Sequence, residues 1–225
     1  MTSKHRKPAA VLFLLSLVFL LSSCFGINAD IVLNPNGTGT ITLEYRISKS
    51  LDSLGKLDGN ERWNTIPVGK ADFERTLDRL PEIKLLSFSL KEDGNDIVIA
   101  AKMEFQSLRG LFAFLDASGR RVSFSGDARS GRMLLTLSEG RMNRIPADKN
   151  PNLAKLMADI CEGDSVRMSM TFPGEGSLAV SDSRGKPLTA IPGSEIIPGG
   201  KKVSCSFPLY EVLSSAEGLN VEFRW

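Results

Sequence analysis

Ser165-Val-Arg-Met-Ser-Met-Thr-Phe-Pro173 alternates apolar and polar residues without a break. Val166, Met168, Met170 and Phe172 fall on one side, and Arg167, Ser169 and Thr171 on the other. Successive side chains of a strand point to opposite faces, so this stretch reads as a strand with one buried and one wet face. The same period returns in both directions along the chain. Ile41, Leu43, Tyr45 and Ile47 share a face in TITLEYRIS, as do Ile97, Ile99, Ala101, Met103 and Phe105 in DIVIAAKMEF. Val203, Cys205 and Phe207 do so in KKVSCSF, and Leu219, Val221, Phe223 and Trp225 in LNVEFRW, with Asn220, Glu222 and Arg224 on the wet side. Half-buried strands of this kind belong to antiparallel sheets.

Turn residues stand where hairpins need them. NPNGTG separates Asp30–Leu33 from Thr40–Ile47, EDGND joins Leu85–Leu90 to Ile97–Phe105, and GDARSGR joins Val122–Ser125 to Met133–Leu137. Four stretches change to helical spacing, with apolar stripes Phe73/Leu77/Leu80, Leu108/Leu111/Phe112/Leu115, Leu153/Leu156/Met157/Ile160/Cys161 and Leu209/Val212/Leu213/Ala216. The expected fold is α+β: mainly antiparallel sheet(s) of alternating strands with about four short amphipathic helices packed on one face. Lys49–Gly69 and Asp182–Gly200 carry little regular pattern and read as long loops. Ile97–Ser125 and Lys202–Trp225 echo each other as strand, short helix and Val-x-Phe strand, which any α+β chain can repeat.

The N-terminus is of another kind. Lys4, His5, Arg6 and Lys7 precede an apolar run from Ala9 to Leu21, and Ser22, Ser23 and Cys24 follow. A charged start, a short apolar stretch and small residues make a secretory signal. The run is short of the ~20 apolar residues that span a bilayer. The expected organisation is a signal peptide over 1–23 and a mature domain over 24–225, in one piece or in two lobes divided near 139–152.

Lys4, Arg6 and Lys7 leave with the signal, which takes 28 basic residues to 25 against 26 acidic ones. A near-neutral chain is a poor general binder of nucleic acid, and no nucleic-acid partner is expected. The sole histidine, His5, leaves as well. Ser-His-Asp and Cys-His catalysis, histidine-held metals and a histidine pH switch are thereby excluded as usually built. No nucleophile elbow, phosphate loop or calcium loop matches, so no catalytic residue, metal or cofactor is expected. Cys161 and Cys205 both fall on apolar faces. A disulfide between them and two separate buried thiols stand as equal alternatives outside the cytoplasm.

One segment is unusual in charge. Arg109 to Arg144 holds seven arginines, no lysine and three acids. Arginine forks suit phosphate oxygens, so Arg120, Arg121, Arg129 and Arg132 are candidate contacts for anionic headgroups. The alternative is a solvated pair of strands.

Leu21-Ser22-Ser23-Cys24 looks like the lipobox of bacterial lipoproteins. That resemblance implies diacylation of the Cys24 sulfur, cleavage before it and acylation of the new amino terminus; multiple chains anchor stably where one does not. A strand pair around a Gly turn follows closely (ADIVLNPNGTGTITLEYRIS), and VRMSMTFPGEG and KKVSCSF come near the end. Together these resemble the LppM-type bacterial lipoproteins, with SDSRGKPLTAIPGSEIIPGG as an insertion. The resemblance implies an α+β envelope domain that binds lipid or lipoglycan. The expectation is therefore a lipid-anchored envelope lipoprotein outside the cytoplasm, held to the membrane through Cys24. Its domain is non-catalytic and binds a lipid, glycolipid or other envelope component. The alternatives are a structural or interaction lipoprotein in an envelope protein assembly and a histidine-independent hydrolase.

Overall fold

The computed structural model describes residues 26–49, 69–116, 120–140, 155, 158–159 and 161–225. The signal segment, Cys24, most of the 49–69 stretch, Arg141, Arg144 and most of the 139–152 stretch lie outside them. So does nearly all of the stripe from Leu153 to Cys161.

Ten strands form one sheet among the described residues. They are β1 (Ile27–Leu33), β2 (Gly39–Ser48), β3 (Ile83–Asp93), β4 (Asp96–Phe105), β5 (Val122–Gly126), β6 (Gly131–Ser138), β7 (Ser165–Ser181), β8 (Glu195–Ile197), β9 (Gly199–Pro208) and β10 (Leu219–Arg224). Three helices accompany them: α1 (Lys70–Leu77), α2 (Leu108–Leu115) and α3 (Leu209–Ser214). The described residues are thus mostly β with few helices, and the stripe expected to form the fourth helix lies almost wholly outside them. Every pairing is antiparallel except that of β1 with β7.

The strand that begins as SVRMSMTFP does not stop at Pro173. It runs through Pro173 and Gly174 to Ser181. Val166–Thr171 has β1 on one edge and β9 on the other. Ser177 has β9 on one edge and β10 on the other, and the β9 register shifts between Thr171 and Gly176. β7 therefore joins two halves. One half carries β3-β4-β2-β1 and β9-β8, and the other carries β10-β6-β5. Pro173 is tolerated because it falls within the register shift, where no ladder bond is lost.

Apolar alternation places the core. Ile31, Ile99, Met103, Met170, Val203, Phe207, Val221 and Phe223 are each 1% exposed or less. α1 adds Phe73 and Leu77; Phe73 packs 5.4 Å from Phe88 and 6.5 Å from Tyr45, centre to centre. The Asp72 carboxylate starts this helix by accepting from the Gly69 N–H at 3.0 Å. Phe88 reaches the core face because a bulge at Leu86 shifts the β3 register between Leu85 and Ser87. The two echoing segments are the crossovers β4-α2-β5 and β9-α3-β10, and each passes from the first half of the sheet to the second. The stretch after Asp182, read as loop, contains β8, which pairs with β9.

β10 departs from simple alternation. Asn220 and Glu222, on its side opposite Val221, are buried to 8% exposure. β10 is paired with β7 along one edge and with β6 along the other, and polar residues buried on the face away from Val221 need partners. Glu222 accepts from the guanidinium groups of Arg132 and Arg224, and the Asn220 amide donates to the Asp182 carbonyl at 2.9 Å.

Close backbone approach yields the first prediction. A Cβ on Gly39 would lie 1.9 Å from the Val32 carbonyl oxygen and 2.3 Å from Phe105 Cζ. Backbone of a paired strand cannot swing away, so Gly39→Ala is expected to cost about 3 kcal/mol. Gly174 meets nothing within 4 Å, so Gly174→Ala should stay within about 0.5 kcal/mol of the parent. Urea denaturation of the two variants against the parent checks the difference.

Candidate functional site

Three chain reversals meet at the junction of the two halves of the sheet. They are the β1–β2 turn, the entry to α2 and the β5–β6 turn. They border an open, shallow cleft of about 530 Å³ lined by residues that include Pro35, Leu108, Arg109, Phe124, Asp127 and Arg129.

Each reversal is fixed by local chemistry. In the β1–β2 turn the Asn34 N–H donates to the Thr38 carbonyl at 2.8 Å, the Thr38 N–H donates to Asn36 Oδ1 at 3.2 Å, and Gly37 takes φ 84°. The left-handed φ is open to glycine at no steric cost. α2 begins at Ser107, whose hydroxyl accepts from the Gly110 N–H at 3.1 Å and donates to the Glu82 carboxylate. Gly110 faces Glu82 so closely that a Cβ would stand 2.7 Å from the Glu82 Cβ. Arg109, in the first turn, projects from this packed helix as an exposed residue.

In the β5–β6 turn, Asp127 Oδ1 accepts from the Arg129 N–H at 2.7 Å and the Ser130 N–H at 3.1 Å. The bond from Arg129, then that from Ser130, holds the Asp127 carboxyl below its ordinary pKa. The indole of Trp225 donates to the Asp127 carbonyl at 2.9 Å, and its backbone pairs with Gly131 in both directions.

Behind the cleft runs a row of stacked rings. Phe112 of α2 lies 4.2 Å from Phe124 of β5, Phe124 lies 6.1 Å from Trp225, and Trp225 lies 5.4 Å from Phe172 of β7, centre to centre. Such pairs add about 0.5–1.5 kcal/mol each beyond the area they bury. Phe124 remains 36% exposed and supplies the apolar wall.

The arginine segment is divided by this geometry. Arg109 and Arg129 come together at the cleft, and neither makes a salt bridge among the described residues. Arg120 and Arg121 are exposed but sit at the other end of β5, where Asp116 accepts from the Arg121 and Val122 N–H groups. Arg132 is engaged by Glu222. Sequence alone grouped these arginines because they are neighbours in the chain. It gave Arg109 no special place, since the residues that pair it with Arg129 come from a helix and a hairpin. Phe124 carried a signal in its alternation with Val122, but not its place in a row of rings.

Two cations at the other end of the first hairpin are paired. Arg46 lies 3.0 Å from Asp93 and 3.4 Å from Asp96, and Lys49 lies 2.6 Å from Glu92. A smaller cavity of about 210 Å³ is found there, bordered by Gly26, Glu44, Arg46, Asp164 and Arg167 among others.

Cys161 and Cys205 stand as free, buried thiols in this structure. Cys205 is 1% exposed on the core face of β9, in register with Met168 and Ile196, and Cys161 is in the turn before β7. Burial pushes the Cys205 thiol up to about 12, and burial with the nearby Asp164 charge raises Cys161. Among the described residues, no group of three or more His, Cys, Asp or Glu is placed to hold a metal ion. No helix among them is long and apolar enough to cross a membrane.

No family model matches the chain, and no curated protein matches it. One solved structure, the NMR structure of the folded domain of the Mycobacterium tuberculosis LppM protein, is similar at 13% identity over 90% of each chain with a TM-score of 0.37. A likeness at that level carries no argument about what the cleft binds.

The thiols give the second prediction. In the Cys24→Ser chain, which keeps Cys161 and Cys205 alone, Ellman's reagent at pH 8 should react at least tenfold more slowly before urea is added than after. Denatured chain that shows no thiol without a reductant would instead reveal a disulfide.

Proposed function

We propose that this protein is a membrane-anchored envelope lipoprotein whose domain is a non-catalytic binding module for an anionic amphiphile. One observation carries the reading: Arg109 and Arg129, without a salt bridge among the described residues, stand at one cleft beside the exposed face of Phe124. Guanidinium forks suit phosphate or carboxylate oxygens, and hydrogen bonds to a charged group contribute about 1.5–3 kcal/mol each. Phe124, Leu108 and Pro35 offer apolar surface to the rest of such a molecule. The order of groups at the N-terminus, from Lys4 through the Ala9–Leu21 run to Cys24, supports attachment to a membrane upstream of the domain.

A second reading, an interaction lipoprotein within an envelope assembly, is favoured by the sheet edges. β3 exposes Leu86 and Leu90, and β8 exposes Ile196 and Ile197. A stoichiometric protein retained through gentle extraction, with no co-purifying lipid, would move the balance to it.

Binding is tested with the full chain reconstituted in nanodiscs of neutral lipid. Titration with a short-chain phosphatidylglycerol should change tryptophan emission. The double substitution Arg109→Ser with Arg129→Ser should weaken the affinity at least tenfold. Arg120→Ser with Arg121→Ser should leave it within twofold. Equal affinity for the matched phosphatidylcholine would count against an anion site. Attachment is tested separately: Cys24→Ser should abolish metabolic acyl labelling and leave a longer precursor, and unchanged labelling would sink the lipid anchor.

A further inference from the structure

We infer that the cleft opens away from the bilayer that holds the chain, so that its ligand, a phosphate-bearing amphiphile, is delivered from outside that bilayer. The inference rests on the reading of the cleft as a binding site. It concerns where the ligand comes from.

The two ends of the β1–β2 hairpin carry the argument. Gly26 is fixed at the start of β1, where its carbonyl accepts from the Arg46 N–H at 3.1 Å. Attachment through acyl groups on Cys24, or through the apolar Ala9–Leu21 run itself, lies upstream of this point in either case. Pro35, Asn36 and Gly37, at the other end, line the cleft. Ile27 to Leu33 lie between them as an unbroken strand. At about 3.3 Å per residue this is roughly 20 Å.

The attachment end is also broad. Asn28 pairs with Glu44 of β2 and Arg167 of β7. The same row continues through Ala100 of β4 to Ser89 of β3, and through Ser206 of β9 to Glu195 of β8. Strands about 4.8 Å apart make this row roughly 30 Å wide, more than the hairpin is long. A domain held at the middle of such an edge stands on it within the plane of the sheet.

At the attachment end Arg46 and Lys49 are in ion pairs with Asp93, Asp96 and Glu92, while Arg167 is exposed there without a salt bridge among the described residues. Arg109 and Arg129, also without a salt bridge among the described residues, are at the far end. Over roughly 20 Å, with a Debye length of about 8 Å, the potential of the anchoring surface falls to about a tenth. The far arginines are then out of range of their own bilayer's headgroups and in range of whatever approaches from beyond.

Trp225 reports on the cleft, because it stacks on Phe124 and donates to Asp127. The full chain is held in neutral nanodiscs, and phosphatidylglycerol with brominated acyl chains is supplied in two ways: as separate vesicles, or within the nanodisc that carries the protein. Subtracting the signal of Trp225→Phe isolates Trp225. Quenching at least tenfold more effective from the separate vesicles is expected, and the double substitution of Arg109 and Arg129 to Ser should remove it. Quenching that is equal or stronger from within the same nanodisc would overturn the inference. So would silence in both arms while the short-chain phosphatidylglycerol still binds. Silence there too would mean that the binding reading itself has failed. Inorganic phosphate alone is the last arm: the same emission change at the same affinity would make this a free-anion site and overturn the amphiphile.

Discussion

Everything in the described protein hangs on β7, seventeen residues long, being paired along both edges over Val166–Thr171 and again at Ser177. Its first part needs the apolar faces of β1 and β9, and its last part needs β10. A strand in this position cannot slip by one residue, because a slip would send Val166, Met168, Met170, Phe172, Leu178 and Val180 from the core to the opposite face. The buried side chains of both halves therefore hold one register in common. The parallel pairing of β1 with β7 follows from the same demand. β1 is the strand that completes the first half, and it finds β7 from the far end of the chain.

The aromatic row does for the second half what the ladder does for the first. Phe112, Phe124, Trp225 and Phe172 belong to a helix, a hairpin, the last residue of the chain and β7, and their stacking ties these four together. Two glycines make room for it. A Cβ on Gly131 would stand 2.5 Å from the Trp225 ring, and one on Gly176 would stand 2.1 Å from that of Phe172. Phe124 stays partly exposed within the row because β5 is an edge strand, with no further strand beside it among the described residues. The wall of the cleft is thus the unfinished end of the core.

Charged groups divide according to what surrounds them. Glu222 is buried, and an unpaired buried carboxylate would be costly, so Arg132 and Arg224 are drawn to it. Arg46 and Lys49 stand at a surface where carboxylates of the β3–β4 hairpin lie within reach. Around Arg109 and Arg129 the carboxylates are engaged elsewhere: Asp127 accepts from its own turn's backbone and Glu82 from the Ser107 hydroxyl. Neither guanidinium makes a salt bridge among the described residues. Their meeting at one cleft beside an exposed aromatic ring, more than the number of arginines, makes it a candidate site.

Period-two alternation was enough to locate β2, β4, β9 and β10, and Gly-containing turns were enough to join β1 to β2, β3 to β4 and β5 to β6. These signals are local: a face is decided within six residues and a turn within four. The absence of histidine after His5 and the signal-like N-terminus are likewise properties of the chain itself. Four things were not local. β7 continues through Pro173 because its neighbours shift register there. β8 forms within a segment without pattern because β9 offers an edge. Asn220 and Glu222 are buried although alternation put them in water, because Asp182 and Arg132, distant in the chain, are brought to them as partners. Arg109 meets Arg129 because α2 and the β5–β6 turn are brought to the same junction from opposite sides of it. Sequence determined which residues could line a sheet. Only packing in three dimensions decided which arginines would meet at the cleft, since that depends on neighbours from separate parts of the fold.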